Sequence, residues 1–354
     1  MRIDKGPVMT PEIEARLTRF ILSLPKPLRR AMTGEQVITR RGNTLDEDTA
    51  AILSMQKRMK RDSFDVIGKR DGIDAARAAN LFSFRSGALG ANTLPVTHRD
   101  IVVPGDTGPL NARLYVPKTP SDGLLMYFHG GGFVIGDIET YDGLCRYIAD
   151  RTQMQVLSVD YRLGPEHRFP AGHKDTIAVA QAVISDPGAY APGATHVAVG
   201  GDSAGACLSL MAGQNVQGIH ALWLLYPVCD FVNDYPSLTE MGSGFGLSKD
   251  MIHWFSEHFI DNPDYGDPLA SPLLCDSWEN VPKTWVSGAG FDPLLDQSSA
   301  LADKLRSQNV DVTYVVEADM IHAYANLFGL SQNARAALDR ACDWLSGAMD
   351  QKTR

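Results

Sequence analysis

Ser203 is the residue in this sequence whose surroundings most invite chemistry. It stands in Gly201-Asp202-Ser203-Ala204-Gly205, after the apolar run VAVG and before a stretch of small and apolar residues that reads as a helix. G-x-S-x-G between a strand and a helix is a sharp turn that projects the serine, and the flanking glycines remove Cβ atoms that so tight a turn would crowd. The hydroxyl then sits at a helix N-terminus, where backbone N–H groups and the helix dipole favour developing negative charge. A serine hydroxyl is a poor nucleophile near neutral pH. It needs a general base, most often a histidine held by a carboxylate. The bland reading is a structural turn with Ser203 as a helix cap, so the remaining parts must be sought elsewhere in the chain.

Of the histidines after Ser203, His220 opens a predicted strand, and His253 and His258 lie in a helical insertion. His322 follows the last apolar strand, at the end of the sheet where Ser203 must be, and is assigned as the base. The carboxylate should sit in a loop after a late strand. TWVSGAGFDPLLDQ offers Asp292 and Asp296. Asp292 is nearer the strand end, and Pro293 fixes its loop; Asp296 reads as a helix N-terminal charge or a local ion pair. The expected chain order for such a set is serine, then acid, then histidine.

The run FHGGGFVIGD, residues 128–137, carries three consecutive glycines. A dinucleotide fingerprint fails at Ile135, where its third glycine should stand. A P-loop fails at Asp137, a carboxylate in place of the phosphate-binding lysine. A tight turn would use one or two glycines and leave the third unexplained. Bare backbone that approaches a reacting oxygen explains all three. The backbone N–H groups of Gly131, Gly132 and Ala204 are the expected donors to an oxyanion, with His129 and Gly130 positioning the loop.

These parts need elements to hold them. From residue 122 onward, the short apolar runs LLMYF, QVLSV, HVAVG, HALWLLYP, TWVSG and VTYVV alternate with helical patterns near 140–150, 174–185, 203–214, 296–307 and 333–347. Continuous apolar strands alternating with helices imply a mostly parallel sheet covered on both faces. HRDIVVP and LNARLYVP, separated by GDTGP, read as a hairpin leading into it. Two regions break the alternation. Residues 1–90 read as helical, and Ile13, Leu17, Phe20, Ile21 and Leu24 form one face that should pack on the body of the protein; a membrane surface is the competing reading. Residues 231–275 contain a helix around MIHWFSEHF. Together the two insertions are expected to cap the sheet, dividing the chain into a cap segment over 1–90, a catalytic domain over 91–230 and 276–354, and a second cap segment over 231–275. The expected pocket lining is Phe133, Val134, Asp202, Trp254, Phe255, Tyr324 and Leu327.

Composition narrows the partners. The net charge of −9 without a basic block argues against nucleic acid or an anionic surface as the main partner. No apolar run approaches the roughly 18 residues that span a bilayer, and the N-terminus has no secretory pattern, so a cytoplasmic protein is expected. Five cysteines without CxxC spacing speak against a disulfide framework or a metal site. No metal or organic cofactor is expected.

Taken together, these residues resemble the bacterial hormone-sensitive-lipase-like esterases, a branch of the α/β hydrolases. The likeness covers roughly residues 98–330 and rests on His129-Gly130-Gly131-Gly132, Asp160-Tyr161-Arg162-Leu163, Pro165-Glu166-His167, Phe169-Pro170-Ala171 with Asp175, Gly201-Asp202-Ser203-Ala204-Gly205, Tyr226-Pro227, Asp292-Pro293-Leu294 and His322. It implies an α/β-hydrolase fold with a helical cap and hydrolysis of short- to medium-chain acyl esters by Ser203, His322 and Asp292. It also implies a homodimer through a sheet edge, which no residue marks. Glu166, Arg162 and Asp175 should brace the loops near the site. Four positions depart from the pattern: Ala206 and Ala323-Tyr324 where relatives carry Gly and Gly-Phe, and Gly164 where Ala is usual. Other functions on this scaffold are a small-molecule-binding protein, disfavoured because Ser203, Asp292 and His322 are all present, and a serine amidase or peptidase.

Overall fold

A computed structural model describes residues 10–350. Its first part is a set of short helices: α1 (Pro11–Leu22), α2 (Lys26–Thr33), α3 (Glu47–Arg58), α4 (Phe64–Asp71) and α5 (Ile73–Gly87). A small hairpin, β1 (Thr39–Arg40) with β2 (Asn43–Thr44), interrupts them. That hairpin lies in a region read as helical. Its turn places Arg41 and Gly42 at φ 47° and 78°, the doubly left-handed geometry that joins two twisted strands.

The body follows as β3 (Val96–Pro104), β4 (Pro109–Pro117), β5 (Gly123–Phe128), α6 (Ile138–Thr152), β6 (Gln155–Val159), α7 (Ala171–Ser185), α8 (Pro187–Tyr190), β7 (His196–Asp202), α9 (Ala204–Asn215) and β8 (Ala221–Leu225). An insertion carries α10 (Pro236–Glu240) and α11 (Lys249–Phe259). The chain then completes β9 (Thr284–Phe291), α12 (Leu295–Ser307), β10 (Val312–Ile321) and α13 (Gln332–Met349). The eight strands lie in the order β3-β4-β6-β5-β7-β8-β9-β10. β3 and β4 form the expected hairpin, β4 pairs antiparallel with β6, and every later pairing is parallel.

β5 shows why the strands read as continuous apolar runs. All six of its residues are buried. Leu124, Met126 and Phe128 point to the core shared with α7, α9 and α12, whereas Leu125 and Tyr127 point to the core shared with α6 and α13. A strand covered on both faces has no polar side, and each such side chain contributes roughly 1.5–3 kcal/mol of burial. The parallel strands end together, so the turns after β5, β7, β9 and β10 open on one side of the sheet. That side is where open α/β sheets bind ligands.

The N-terminal helices differ from expectation in their orientation. Ile13, Leu17 and Phe20 are 55%, 50% and 60% exposed, and Ile21 and Leu24 only half-buried. The face of α1 that meets the protein carries Ala15, fully buried, and Pro11, whose carbonyl accepts from the Ser86 hydroxyl on α5. Ala15 lets α1 lie close against its neighbour, Leu22 at its C-terminal end packs with Ala51 and Ile52 of α3, and Ile13, Leu17 and Phe20 are left outside.

Candidate active site

Ser203 alone makes the turn between β7 and α9, with φ 54° and ψ −117°. Positive φ strains a non-glycine residue by ~1–3 kcal/mol, and the surroundings hold it there. The Ser203 N–H donates to the Leu225 carbonyl at 2.8 Å, and its own carbonyl accepts from the N–H groups of Ala206 and Cys207. The flanking glycines follow from the end of β5. A Cβ at Gly201 would lie 2.1 Å from the Phe128 carbonyl oxygen, and one at Gly205 1.8 Å from it.

His322 and Asp292 leave the neighbouring strands at the same level, one residue beyond β10 and one beyond β9. His322 Nε2 lies 2.9 Å from Ser203 Oγ, and Nδ1 lies 2.7 Å from Asp292 Oδ2. Asp292 is fully buried, and its Oδ1 accepts from the Leu294 N–H at 2.8 Å. A buried carboxylate beside Nδ1 favours the tautomer that carries its proton there and leaves Nε2 to accept from the serine. Tyr226 packs its ring against the imidazole at 4.8 Å between centroids. Asp296 stands in the first turn of α12, as a helix N-terminal charge, and its ion pair is not local but reaches Arg41 in the β1–β2 turn; it also accepts from the Ser237 N–H.

The glycine loop is tied to the serine turn through Asp202. Its Oδ1 accepts from the Gly130 N–H at 2.8 Å and the Tyr127 hydroxyl at 2.7 Å, and its Oδ2 from the Tyr141 hydroxyl at 3.2 Å. Burial pushes this carboxyl up, and hydrogen bonds from Tyr127 and Gly130 work against that shift. Asp202 does touch the cavity, but its hydrogen bonds are spent on anchoring the loop. His129 is fully buried between the rings of Tyr161 and Tyr141, with Nδ1 2.7 Å from the Gly130 carbonyl oxygen. Burial lowers its pKa to about 4, so it stands neutral at pH 7 and donates from Nδ1 to that carbonyl. Gly131 and Gly132 have φ 112° and 60°. A Cβ on Gly131 would meet the Ile135 carbonyl oxygen at 2.0 Å, and one on Gly132 the Phe255 ring at 2.2 Å. The N–H groups of Gly131 and Gly132 donate to no acceptor among the described residues.

Gly131, Gly132, Ser203 and His322 line a single cleft of about 1740 Å³. Phe133, Phe255 and Leu327 line it as expected. Val134, Trp254 and Tyr324 do not, and each has a packing reason. Val134 is fully buried in the core of the body, and its carbonyl accepts from Arg77 on α5. Trp254 is turned toward α4, where a Cβ on Gly68 would lie 2.3 Å from its indole; it joins the two insertions to each other. Tyr324 lies buried, its hydroxyl 3.0 Å from Ser287 Oγ and its ring against Tyr226. Sequence reasoning missed Phe245, Met251, Ile252 and Tyr141 in the lining. The spacing of Met251, Ile252 and Phe255 at i, i+1 and i+4 on α11 would have marked one face.

The bracing network exists in two parts. Arg162 pairs with Asp175, which also accepts from the Asp106 N–H. Glu166 instead pairs with Arg77 of α5, which donates as well to the carbonyls of Val134 and Gly164 and so fastens the N-terminal helices to the loops of the body. Asp160 has its carboxyl pushed up to about 6, by burial first and Asp137 second. Two departures acquire a physical setting. A Cβ on Gly164 would fall 2.4 Å from the His258 carbonyl oxygen, so the alanine usual in relatives would not fit beneath α11. Ala323 sits at φ 61°, a conformation that suits the glycine usual there. Nothing in the structure explains Ala206.

The family pattern described as alpha/beta hydrolase fold matches residues 125–326. This chain is an α/β hydrolase. The carboxylic ester hydrolase LipN of Mycobacterium tuberculosis is 35% identical over 331 residues, covering 88% of this chain and 85% of that protein. An acetyl esterase of Salmonella paratyphi B is 29% identical over 245 residues, covering 66% and 75%. Among solved structures, an ester hydrolase from the metagenome of Lake Arreo matches this hydrolase with a TM-score of 0.78 at 32% identity, covering 86% of this chain and 98% of that one. The hyperthermophilic esterase of Pyrobaculum calidifontis matches with a TM-score of 0.78 at 28% identity over the same shares. The resemblance to the hormone-sensitive-lipase-like branch therefore holds. No described helix of this hydrolase is long and apolar enough to cross a membrane.

Proposed function

We propose that this α/β hydrolase is a serine carboxylesterase acting on short- to medium-chain acyl esters. The observation that carries the reading is the continuous line of hydrogen-bonding distances from Asp292 through His322 to Ser203 Oγ, opening on the cleft. Ser203 Oγ attacks the ester carbonyl carbon while His322 Nε2 takes its proton. Asp292 keeps the imidazole in the right tautomer and stabilises its cationic form. The N–H groups of Gly131, Gly132 and Ala204 receive the oxyanion; one such donor is worth roughly 3–4 kcal/mol of barrier. His322 then gives the proton to the departing alcohol. Water, deprotonated by the same histidine, attacks the acyl-enzyme, and the acid leaves. The two helical insertions act as a cap that walls the cleft. The names of the relatives, which are ester hydrolases and acetyl esterases, support the same class.

Ser203→Ala should lower hydrolysis of p-nitrophenyl butyrate by at least about 10⁴-fold with an unchanged circular dichroism spectrum, and Asp292→Asn by about 10⁴-fold in kcat. A fluorophosphonate should label Ser203 alone. Activity that survives Ser203→Ala, or label on another residue, rejects the assignment. Hydrolysis of matched anilides at rates equal to the esters would move the enzyme to the amidases. A fully folded protein inert toward every ester, yet retaining one in the cleft, would be a binding protein.

A further inference from the structure

The cleft that leads to Ser203 carries a charge opposite to that of the chain. The net charge is −9, yet Arg40, Lys57, Arg58, Lys60, Arg61 and Arg70 line the cleft against only Asp62, Asp202 and Glu240. Those three carboxylates are already engaged. Asp202 holds the glycine loop, Glu240 faces Arg41, and Asp62 faces Arg70. Arg61 pairs with Glu14. Arg40, Lys57, Arg58 and Lys60 face no carboxylate among the described residues. The contrast is local, because Arg29, Arg41, Arg61 and Arg70 of the same segment each pair with at least one acid.

The four unpaired cations are all exposed, whereas Ser203 and His322 are more enclosed, so the charge sits at the outer reach of the cleft. Two of them are held in place. Arg58 Nη1 donates to the Met32 carbonyl at 2.8 Å, and its guanidinium occupies the space where a Cβ on Gly34 would fall. The Arg40 guanidinium lies 6.0 Å from the ring centroid of Phe245, itself a lining residue. The same cleft is also lined by the apolar side chains of Phe245, Ile252 and Phe255, the last lying against Gly132. Like charges gathered round one opening repel one another, and their field concentrates anions there by factors of about 10–10³.

We infer that the preferred ester carries an anion, a carboxylate, phosphate or sulfate, at the end remote from its reacting carbonyl. Arg40, Lys57, Arg58 and Lys60 receive that anion, the apolar walls take the intervening chain, and the carbonyl reaches Ser203. This inference rests on the esterase reading, and one comparison separates the two. The 4-methylumbelliferyl esters of octanoic acid and, singly, of suberic acid have the same length and leaving group and differ in a terminal methyl against a terminal carboxylate.

At about 20 mM salt the hemisuberate should show a kcat/KM about 10-fold or more above the octanoate, and about 0.5 M NaCl should bring the ratio toward one. Lys57→Gln/Lys60→Gln and, separately, Arg40→Gln should each reduce the low-salt ratio by about 3-fold or more. A wild-type ratio at or below one, or a ratio indifferent to salt, overturns the inference while octanoate turnover keeps the esterase reading. Absence of turnover of both esters overturns both. Sedimentation with phosphatidylglycerol and phosphatidylcholine vesicles separates the sources of the anion. Retention on the anionic vesicles alone, lost in Lys57→Gln/Lys60→Gln, places it on a lipid headgroup. No retention places it on a free ester.

Discussion

At the scale of single residues, the serine turn owes its shape to missing atoms as much as to present ones. The Phe128 carbonyl runs beneath it so closely that neither Gly201 nor Gly205 can carry a side chain. Gly205→Ala would push the new methyl to 1.8 Å from that oxygen, and backbone cannot yield as a flexible side chain can. We predict a loss of about 3 kcal/mol or more in urea unfolding, together with most of the activity. A Tm within a degree of the parent would contradict the geometry. At this scale the sequence was informative. Ser203, Asp292 and His322 were legible because each follows a strand, and strand ends bring distant residues together. The side to which a neighbouring side chain turns was not legible. Val134 and Tyr324 lie within a few residues of the glycine loop and of His322, yet both turn into the core.

Among the elements, α1 teaches a similar lesson. Periodicity identified Ile13, Leu17 and Phe20 as sharing a face, but periodicity says nothing about what that face meets. The buried side of α1 is chosen by close approach to α5, for which Ala15 is the right size. Leu17→Gln is therefore expected to change stability by less than about 0.5 kcal/mol, as exposed positions do, where a core leucine would cost several times more. Chemical denaturation distinguishes the two, and a loss above about 2 kcal/mol would mean the helix is placed wrongly. The strands and helices of the body were legible throughout, since burial on both faces leaves no polar position to confuse the pattern. The β1–β2 hairpin was missed because two-residue strands carry almost no periodic signal; Arg41-Gly42 between Thr39 and Thr44 was its only mark.

For the molecule as a whole, Asp160 links pH to stability. Its folded pKa, raised to about 6 chiefly by burial, lies above the ordinary carboxylate value of about 3.9. Between those values the folded state keeps a proton that the unfolded chain has released. Stability is therefore lost as pH rises from about 4 to about 6 and is not regained above it. Asp160→Asn cannot ionise, so its Tm should exceed the parent's at pH 8 and the advantage should shrink at pH 4; an advantage constant across that range would show that ionisation is not its source. The division of labour within the fold has a different bearing, on redesign. Asp202 joins the loop over 129–136 to the turn over 200–205 through hydrogen bonds from body residues, Gly130, Tyr127 and Tyr141. The tie between loop and turn thus belongs to the body, while the insertions supply walls and charge and touch the loop at Arg77, which donates to the Val134 carbonyl, and at Phe255, whose ring lies against Gly132. Whoever wishes to turn this hydrolase toward another ester can exchange residues 36–76 and 243–254, while Arg77, Phe255, 129–136 and 200–205 are left as they stand.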